Sequence, residues 1–198
     1  GEGLMIEVVI LAGGNSLRFG SNKLLTVLNG KPIFRHTMER LVENSDFNVT
    51  VVTQYEQIVE YCRSKSIDCV FSEECKRGLS FSIGAALNKI LSDDRSEKIN
   101  EIVFLAADQP YITPDIIKKL YFDYMMSGKG LGSCFCNGRP SNPTIFSAKY
   151  FDALKQLSGD DGGRKIIMQN SDDCCYSYVN ECNILRDIDR PEQLYIPE

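Results

Sequence analysis

The apolar run Glu7-Val8-Val9-Ile10-Leu11 gives way, one residue later, to the glycine pair Gly13-Gly14. A short run without polar alternation reads as a strand buried on both faces, because a strand with one wet face alternates apolar and polar residues. Such a strand needs partners on either side. The chain supplies them at Val49–Thr53, Cys69–Phe71 and Ile102–Ala106. Between these runs the apolar spacing turns helical. Ile33, Phe34, Thr37, Met38, Leu41 and Val42 mark one face of a helix over Pro32–Glu43, and Glu56–Ser64 and Leu79–Leu91 follow. Thr113 is placed to cap a further helix, with Pro114 in its first turn, that runs to Gly128. This alternation predicts an α/β domain with a largely parallel sheet.

The last third is less regular. Leu131–Cys136 and Thr144–Phe146 read as strands around a Gly/Pro/Asn-rich loop, Ala148–Leu157 and Gly163–Met168 as helices, and Tyr176–Val179 as a late strand. A short helix opens at Pro191. With no internal repeat and no linker, residues 5–198 read as one domain. Gly1–Leu4, ahead of Met5, are set aside as a remnant outside the fold.

Lys plus Arg number 22 against 27 Asp plus Glu, a formal charge of −5, and no basic cluster stands out. Binding to duplex nucleic acid through many phosphates is therefore not expected. No apolar stretch has the length of a membrane span, and no secretory leader is visible, so a cytoplasmic protein is expected. The eight cysteines form no C-x-x-C pair, and a chain with 43% hydrophobic residues has no need of disulfide staples. Reduced thiols are the expectation. His36, the single histidine, falls inside the first amphipathic helix and reads as structural.

The strongest chemical signal is Leu11-Ala12-Gly13-Gly14-Asn15-Ser16-Leu17-Arg18-Phe19-Gly20-Ser21-Asn22-Lys23. Paired glycines after a buried strand let successive N–H groups converge on phosphate oxygens. Ser16 adds a hydroxyl, and Arg18 and Lys23 add positive charge. The spacing fits neither the Walker A loop nor the G-x-G-x-x-G dinucleotide fingerprint, so a phosphate loop of another type is implied. Its bland alternative is a glycine turn with two solvated cations.

The segment resembles the opening signature of the nucleotidyltransferase superfamily that includes molybdenum cofactor guanylyl- and cytidylyltransferases and sugar-phosphate nucleotidyltransferases. Four further segments extend the likeness in the expected order: Gly78–Ser82, Ala107-Asp108-Gln109-Pro110, Gly159–Arg164 and Asp187–Leu194. The later elements are most similar to the cytidylyltransferase subgroup. The resemblance implies a three-layer Rossmann-like fold with a mostly parallel sheet. It also implies Mg²⁺-dependent transfer of a nucleoside monophosphate, CMP from CTP first, onto the terminal phosphate of molybdopterin, with pyrophosphate leaving. A molybdoenzyme that receives the product is a further implied partner. Guanylyl transfer, another phosphorylated acceptor, or a non-catalytic nucleotide sensor are the alternatives.

Residue by residue, the likeness places the nucleotide on Leu11, Ala12, Gly13, Gly14, Ser16, Arg18, Lys23, Ser80 and Ser82. Arg18, Lys23 and Asp108 would be catalytic. Asp108, at the carboxyl end of a buried strand, is a costly place for an unpartnered carboxylate, and a hard cation is a natural partner. Its alternative is a cap for the helix near Thr113. The second metal ligand would be Asp189 or Asp187, which point the same way on an extended backbone; Asp189 could instead cap the turn at Pro191. Asp161 and Arg164 fall on the acceptor side, or else form a surface turn with a salt bridge. Gly138-Arg139-Pro140 to Pro143 resembles an acceptor-side loop, with Ser141 and Asn142 where a second glycine is usual.

The base is the point of internal conflict. Gly13 is the form typical of guanylyl-transferring relatives, whereas cytidylyl enzymes usually carry alanine there. A missing methyl group beside the base would make room for a larger ring, worth about 1–3 kcal/mol. The expectation is CTP over GTP, with Gly13→Ala sharpening that preference.

Overall fold

Ile6–Ala12 form strand β1, one residue longer at each end than its apolar core predicts. The computed structural model describes residues 5–16, 19–92 and 99–195. Helix α1 (Ile33–Val42), β4 (Phe47–Thr53), α2 (Glu56–Ser64), β5 (Asp68–Phe71), α3 (Leu79–Leu91) and β6 (Glu101–Ala106) follow the predicted order. Val27–Leu28 and Lys31–Pro32, β2 and β3, make a small separate ribbon. Helix α4 (Pro114–Ser127), β7 (Leu131–Cys136), β8 (Arg139–Ser147), α5 (Phe151–Lys155), α6 (Gly163–Gln169) and β9 (Cys174–Tyr178) complete the chain.

Seven strands form one sheet in the order β5-β4-β1-β6-β8-β7-β9. All neighbours run parallel except where β8 lies antiparallel to both β6 and β7. Strand alternation divides the core into two layers. Val8, Ile10, Val103 and Leu105 pack towards α1, α2 and α4, while Val9, Ile102 and Phe104 pack towards α3, α5 and α6. The fold is the mostly parallel, three-layer α/β arrangement expected.

Four local expectations fail. The Gly/Pro/Asn-rich loop is strand from Arg139 onward, because Ser133 and Cys134 mark a register shift on β7 that accommodates the prolines of β8. The helix expected over Ala148–Leu157 is a 3-10 turn at Ala148–Tyr150 followed by the short α5. Thr113 occupies the N-cap position of α4, yet its side chain makes no capping hydrogen bond. Finally, Cys136 and Cys182 are disulfide-bonded, with Cα atoms 5.8 Å apart. The two are separated by 46 residues, so only the tertiary fold sets them within bonding reach. Six other cysteines are free, as expected.

His36 is buried and its Nε2–H donates to the Leu28 carbonyl at 2.8 Å. Burial holds its pKa below the ordinary histidine value. Its structural role ties α1 to the β2–β3 ribbon.

Candidate active site

The chain runs from β1 outward to β4 and β5, then returns to place β6 on the opposite side of β1. That reversal opens a crevice at the carboxyl ends of β1 and β6, the place where ligands collect in open α/β sheets. Leu11 pairs with Ala106 across this point. Gly13-Gly14 and Asp108 are therefore delivered side by side from the two strands.

The Lys23 ammonium stands between two carboxylates, 2.7 Å from Oδ2 of Asp108 and 2.9 Å from Oδ1 of Asp189. Asp189 comes from the far end of the chain. It is held there because the Ile188 N–H donates to the Asp108 carbonyl at 2.9 Å. Gln193 completes the arrangement, its Oε1 accepting from the N–H groups of Asp189 and Arg190 at 2.6 and 2.7 Å. Burial pulls the Lys23 ammonium down, but Asp108 and Asp189 outweigh it and hold it above the ordinary lysine value. Burial likewise pushes the Asp108 carboxyl up, against the pull of Lys23 and with Asp187 and Asp189 adding to the push. Oδ1 of Asp108 is buried and has no hydrogen-bond partner. An orphaned carboxylate oxygen of this kind fits a hard divalent cation.

Two cavities meet at Asp108. The first, about 250 Å³, is lined by Leu11, Gly13, Gly14, Asn15, Lys23, Cys75, Ser82 and Asp160 among others. Its glycine loop is anchored from behind. Gln54 Nε2 donates to the Gly13 carbonyl at 2.6 Å, and Tyr55 Oη donates to the Gly14 carbonyl at 2.5 Å. Asn15 Nδ2 donates to the Lys76 carbonyl at 2.7 Å, and Ser16 Oγ accepts from the Lys23 N–H at 3.2 Å. With its carbonyls tied outward, the loop is preorganised before any ligand arrives. A Cβ on Gly13 would lie 2.7 Å from Cys75 Cβ and 2.8 Å from Ser82 Oγ. The space that glycine vacates is thus already filled by Cys75 and Ser82.

The second cavity, about 320 Å³, is lined by Gln109, Ser133, Arg139, Asn142, Thr144, Arg164 and Asp187 along with Asp108. Two guanidinium groups beside a polar wall suit an anionic group. Gly78 joins this side to the first. Its φ of 138° and its contact with the Gly159 carbonyl leave no room for a side chain, so the start of α3 packs directly on the Gly159–Arg164 loop.

Of the residues the sequence singles out, Leu11, Gly13, Gly14, Lys23, Ser82 and Asp108 line the first cavity, and Arg164 and Asp187 the second. Ala12 is wholly buried beneath the loop, with its carbonyl accepting from Thr53 Oγ1. Ser80 Oγ donates to the Gly159 carbonyl at 2.7 Å, a bond that fastens the loop to α3. Asp161 pairs with Lys165 at 2.7 Å on the surface, while its neighbour Asp160 faces the first cavity. Arg18 lies outside the described residues. Arg139, Ser141 and Asn142 of the loop that resembles an acceptor-side element line the second cavity. Sequence reasoning passed over Cys75, Gln54 and Tyr55. None sits in a motif with a chemical signature, and only the packing of the 3-10 turn at Glu73–Arg77 on the glycine loop draws Cys75 in.

A mostly parallel sheet carrying a glycine loop and an acidic strand end at its switch point defines a nucleotidyltransferase architecture. Residues 8–174 match the MobA-like NTP transferase domain, and the chain belongs to that family. A Pyrococcus horikoshii protein named as a probable molybdenum cofactor guanylyltransferase is 28% identical over 159 residues, covering 79% of this chain and 75% of that one. In fold, the chain resembles Rv0371c of Mycobacterium tuberculosis H37Rv, with a TM-score of 0.79 at 22% identity over 98% of this chain and 97% of that one. The same mycobacterial protein as a manganese complex gives a TM-score of 0.68 at 21% identity, covering 88% of each chain. Among the described residues, no helix is long and apolar enough to cross a membrane.

Proposed function

We propose that this chain transfers a nucleoside monophosphate from an NTP in the first cavity to a phosphate of a molybdopterin-type acceptor in the second, releasing pyrophosphate. The observation that carries the reading is the shared wall: Asp108 and Ala106 line both cavities. A donor and an acceptor seated on either side of one carboxylate meet without either leaving its own pocket.

Asp108 and Asp189, which meet at Lys23, would hold a divalent cation, Mg²⁺ or Mn²⁺, that would neutralise charge on the phosphates, while Asp187 lines the second cavity. Lys23 and the Gly13-Gly14 amides bind the phosphates and stabilise the charge that builds at the α-phosphorus. An acceptor phosphate oxygen attacks that phosphorus, the bond to the bridging oxygen of pyrophosphate breaks, and no proton need move, because the attacking phosphate is already ionised. Arg164 and Arg139 orient it. Lys23 pairs with both carboxylates, so it stands where a phosphate and a cation held by them would meet.

For the base, we favour CTP on the cytidylyl-like later motifs. The volume argument for a purine at Gly13 loses its premise, since Cys75 and Ser82 occupy that volume. GTP is the second reading, supported by the guanylyl name of the Pyrococcus relative. Pyrophosphate release across the four NTPs, with molybdopterin or sugar phosphates as acceptor and with or without chelator, tests all of this. Release that needs acceptor and divalent ion together, fastest with CTP, is the expected result. A GTP preference overturns the base, persistence in chelator overturns the metal role, and no release from any NTP overturns the reading. A molybdoenzyme as recipient, in the cytoplasm, belongs to the same proposal.

A further inference from the structure

Gln109 follows Asp108 and is almost wholly buried, 3% exposed, yet it is surrounded by groups that need its amide. Nε2 donates to the Leu185 carbonyl at 2.8 Å and, more weakly, to the Asn142 carbonyl at 3.4 Å. Oε1 faces the Ala106 N–H at 3.5 Å, at the last residue of β6. On the opposite side, the Gln109 carbonyl accepts from Thr37 Oγ1 of α1 at 2.6 Å. One side chain therefore touches three walls: the strand end that presents Asp108, the β8 wall of the second cavity, and the segment that leads from Leu185 to Asp187 and Asp189.

That segment has no regular secondary structure between Arg186 and Arg190. Sheet hydrogen bonding does not fix it, so its carboxylates depend on a few individual bonds for their position. Gln193 and Lys23 bond Asp187, Asp189 and Arg190, and two further bonds tie the segment to the residues that follow β6: the Gln109 bond to Leu185, and the bond from Ile188 N–H to the Asp108 carbonyl. The first precedes Asp187 by two residues, and the second lies between Asp187 and Asp189. A buried primary amide is the side chain that can donate two hydrogens to two carbonyls from different walls while accepting from a third group. An isosteric apolar side chain satisfies none of them, and a shorter amide does not reach Leu185.

We infer that Gln109 is a positioning residue that sets the Asp187–Asp189 carboxylates against Asp108 and Lys23, and joins them to the acceptor wall at Asn142. The inference rests on the proposed transfer reaction for its kinetic consequence but not for its structural one. Gln109 does not touch the first cavity, so donor binding without metal is expected to be indifferent to it.

The test compares the unmodified protein with Gln109→Met, which keeps volume and loses the amide, and with Gln109→Asn, which keeps the amide one methylene short. Hydrogen exchange is measured over residues 182–193, together with NTP affinity in chelator and the Mn²⁺ concentration for half-maximal pyrophosphate release. The expected result is exchange at Ile188 faster by about tenfold or more in both variants, a Mn²⁺ requirement raised about tenfold, and NTP affinity in chelator changed less than twofold. Unchanged exchange over 185–189 overturns the inference, as does a loss of NTP affinity as large as the loss of turnover. If the unmodified protein releases no pyrophosphate at all, the transfer reading falls, while the exchange measurement still decides whether Gln109 holds the segment.

Discussion

Lys23 Nζ lies 2.7 Å from Oδ2 of Asp108, an ion pair that joins the end of the glycine loop to the end of β6 across 85 residues of sequence. The pair contributes to the fold and, under the proposed reaction, to charge stabilisation at the phosphates, and the two contributions are separable. Lys23→Met leaves an inward-facing carboxylate without its cation, which costs about 1–3 kcal/mol after allowing for solvent access at Asp189. Combining it with Asp108→Asn removes the charge that needed pairing. Thermal unfolding should show the Lys23→Met loss largely recovered in the double variant. Turnover should fall ~10²-fold or more in Lys23→Met, Asp108→Asn and the double variant alike, since each lacks charge stabilisation at the phosphates. Near-normal pyrophosphate release from any of the three, folded, would remove these residues from the chemistry.

Gly13→Ala does not act as the sequence alone suggests. The new methyl group would meet Cys75 Cβ at 2.7 Å, an atom fixed to the backbone and unable to swing away. The glycine loop or the Glu73–Arg77 turn must shift, at a cost of about 1–3 kcal/mol. We expect kcat/KM to fall for CTP and GTP together rather than the ratio to sharpen. Cys75→Gly in the same chain should restore both, and a selective loss of GTP use by Gly13→Ala alone would show that the methyl group reaches the base after all.

Asp160 and Asp161 are neighbours with opposite expectations. Asp161 is spent on a surface pair with Lys165, of a kind worth about 0.5 kcal/mol or less, so Asp161→Ala should change turnover less than twofold. Asp160 lines the first cavity, where under the proposed reaction its carboxylate would accept from ribose hydroxyls or a base amino group. Loss of one such bond predicts a roughly tenfold rise in NTP KM for Asp160→Ala. Arg164→Ala should instead raise the acceptor KM roughly tenfold and leave the NTP KM alone. Steady-state kinetics with each substrate varied in turn would expose a reversed assignment.

Glu39 gives the fold an acid-sensitive joint. Burial alone would raise its carboxyl, but Lys31, Tyr61 and Arg35 all donate to it and hold it down at about 2. A carboxylate with a folded-state pKa below its unfolded value stabilises the protein above the unfolded pKa. That stability drains away as pH falls from about 4.5 towards 2. With its partners about one-third exposed, the contribution is about 1–2 kcal/mol. Denaturant titrations of the unmodified protein and Glu39→Gln should differ by that amount at pH 7 and converge near pH 2. A constant difference across that window would mean that packing, not charge, is what Glu39 contributes.

The sequence by itself determined the layered α/β order, because strands buried on both faces and helices wet on one leave periodicities of two kinds that survive in one dimension. Glu56–Ser64, Leu79–Leu91 and Leu131–Cys136 fall at their predicted bounds for that reason. It also marked Gly13-Gly14, Lys23 and Asp108 as candidates, because glycines and charge close after buried strands suit phosphate chemistry. The tertiary structure decided which groups meet. Lys23 reaches Asp189 across 166 residues, Cys136 bonds Cys182, Asp160 rather than Asp161 lines the first cavity, and Cys75 fills the hollow beside Gly13. None of these is periodic or local. Each depends on how two separately folded segments are set against one another by the sheet, and distances between segments are not encoded in the spacing of residues along either.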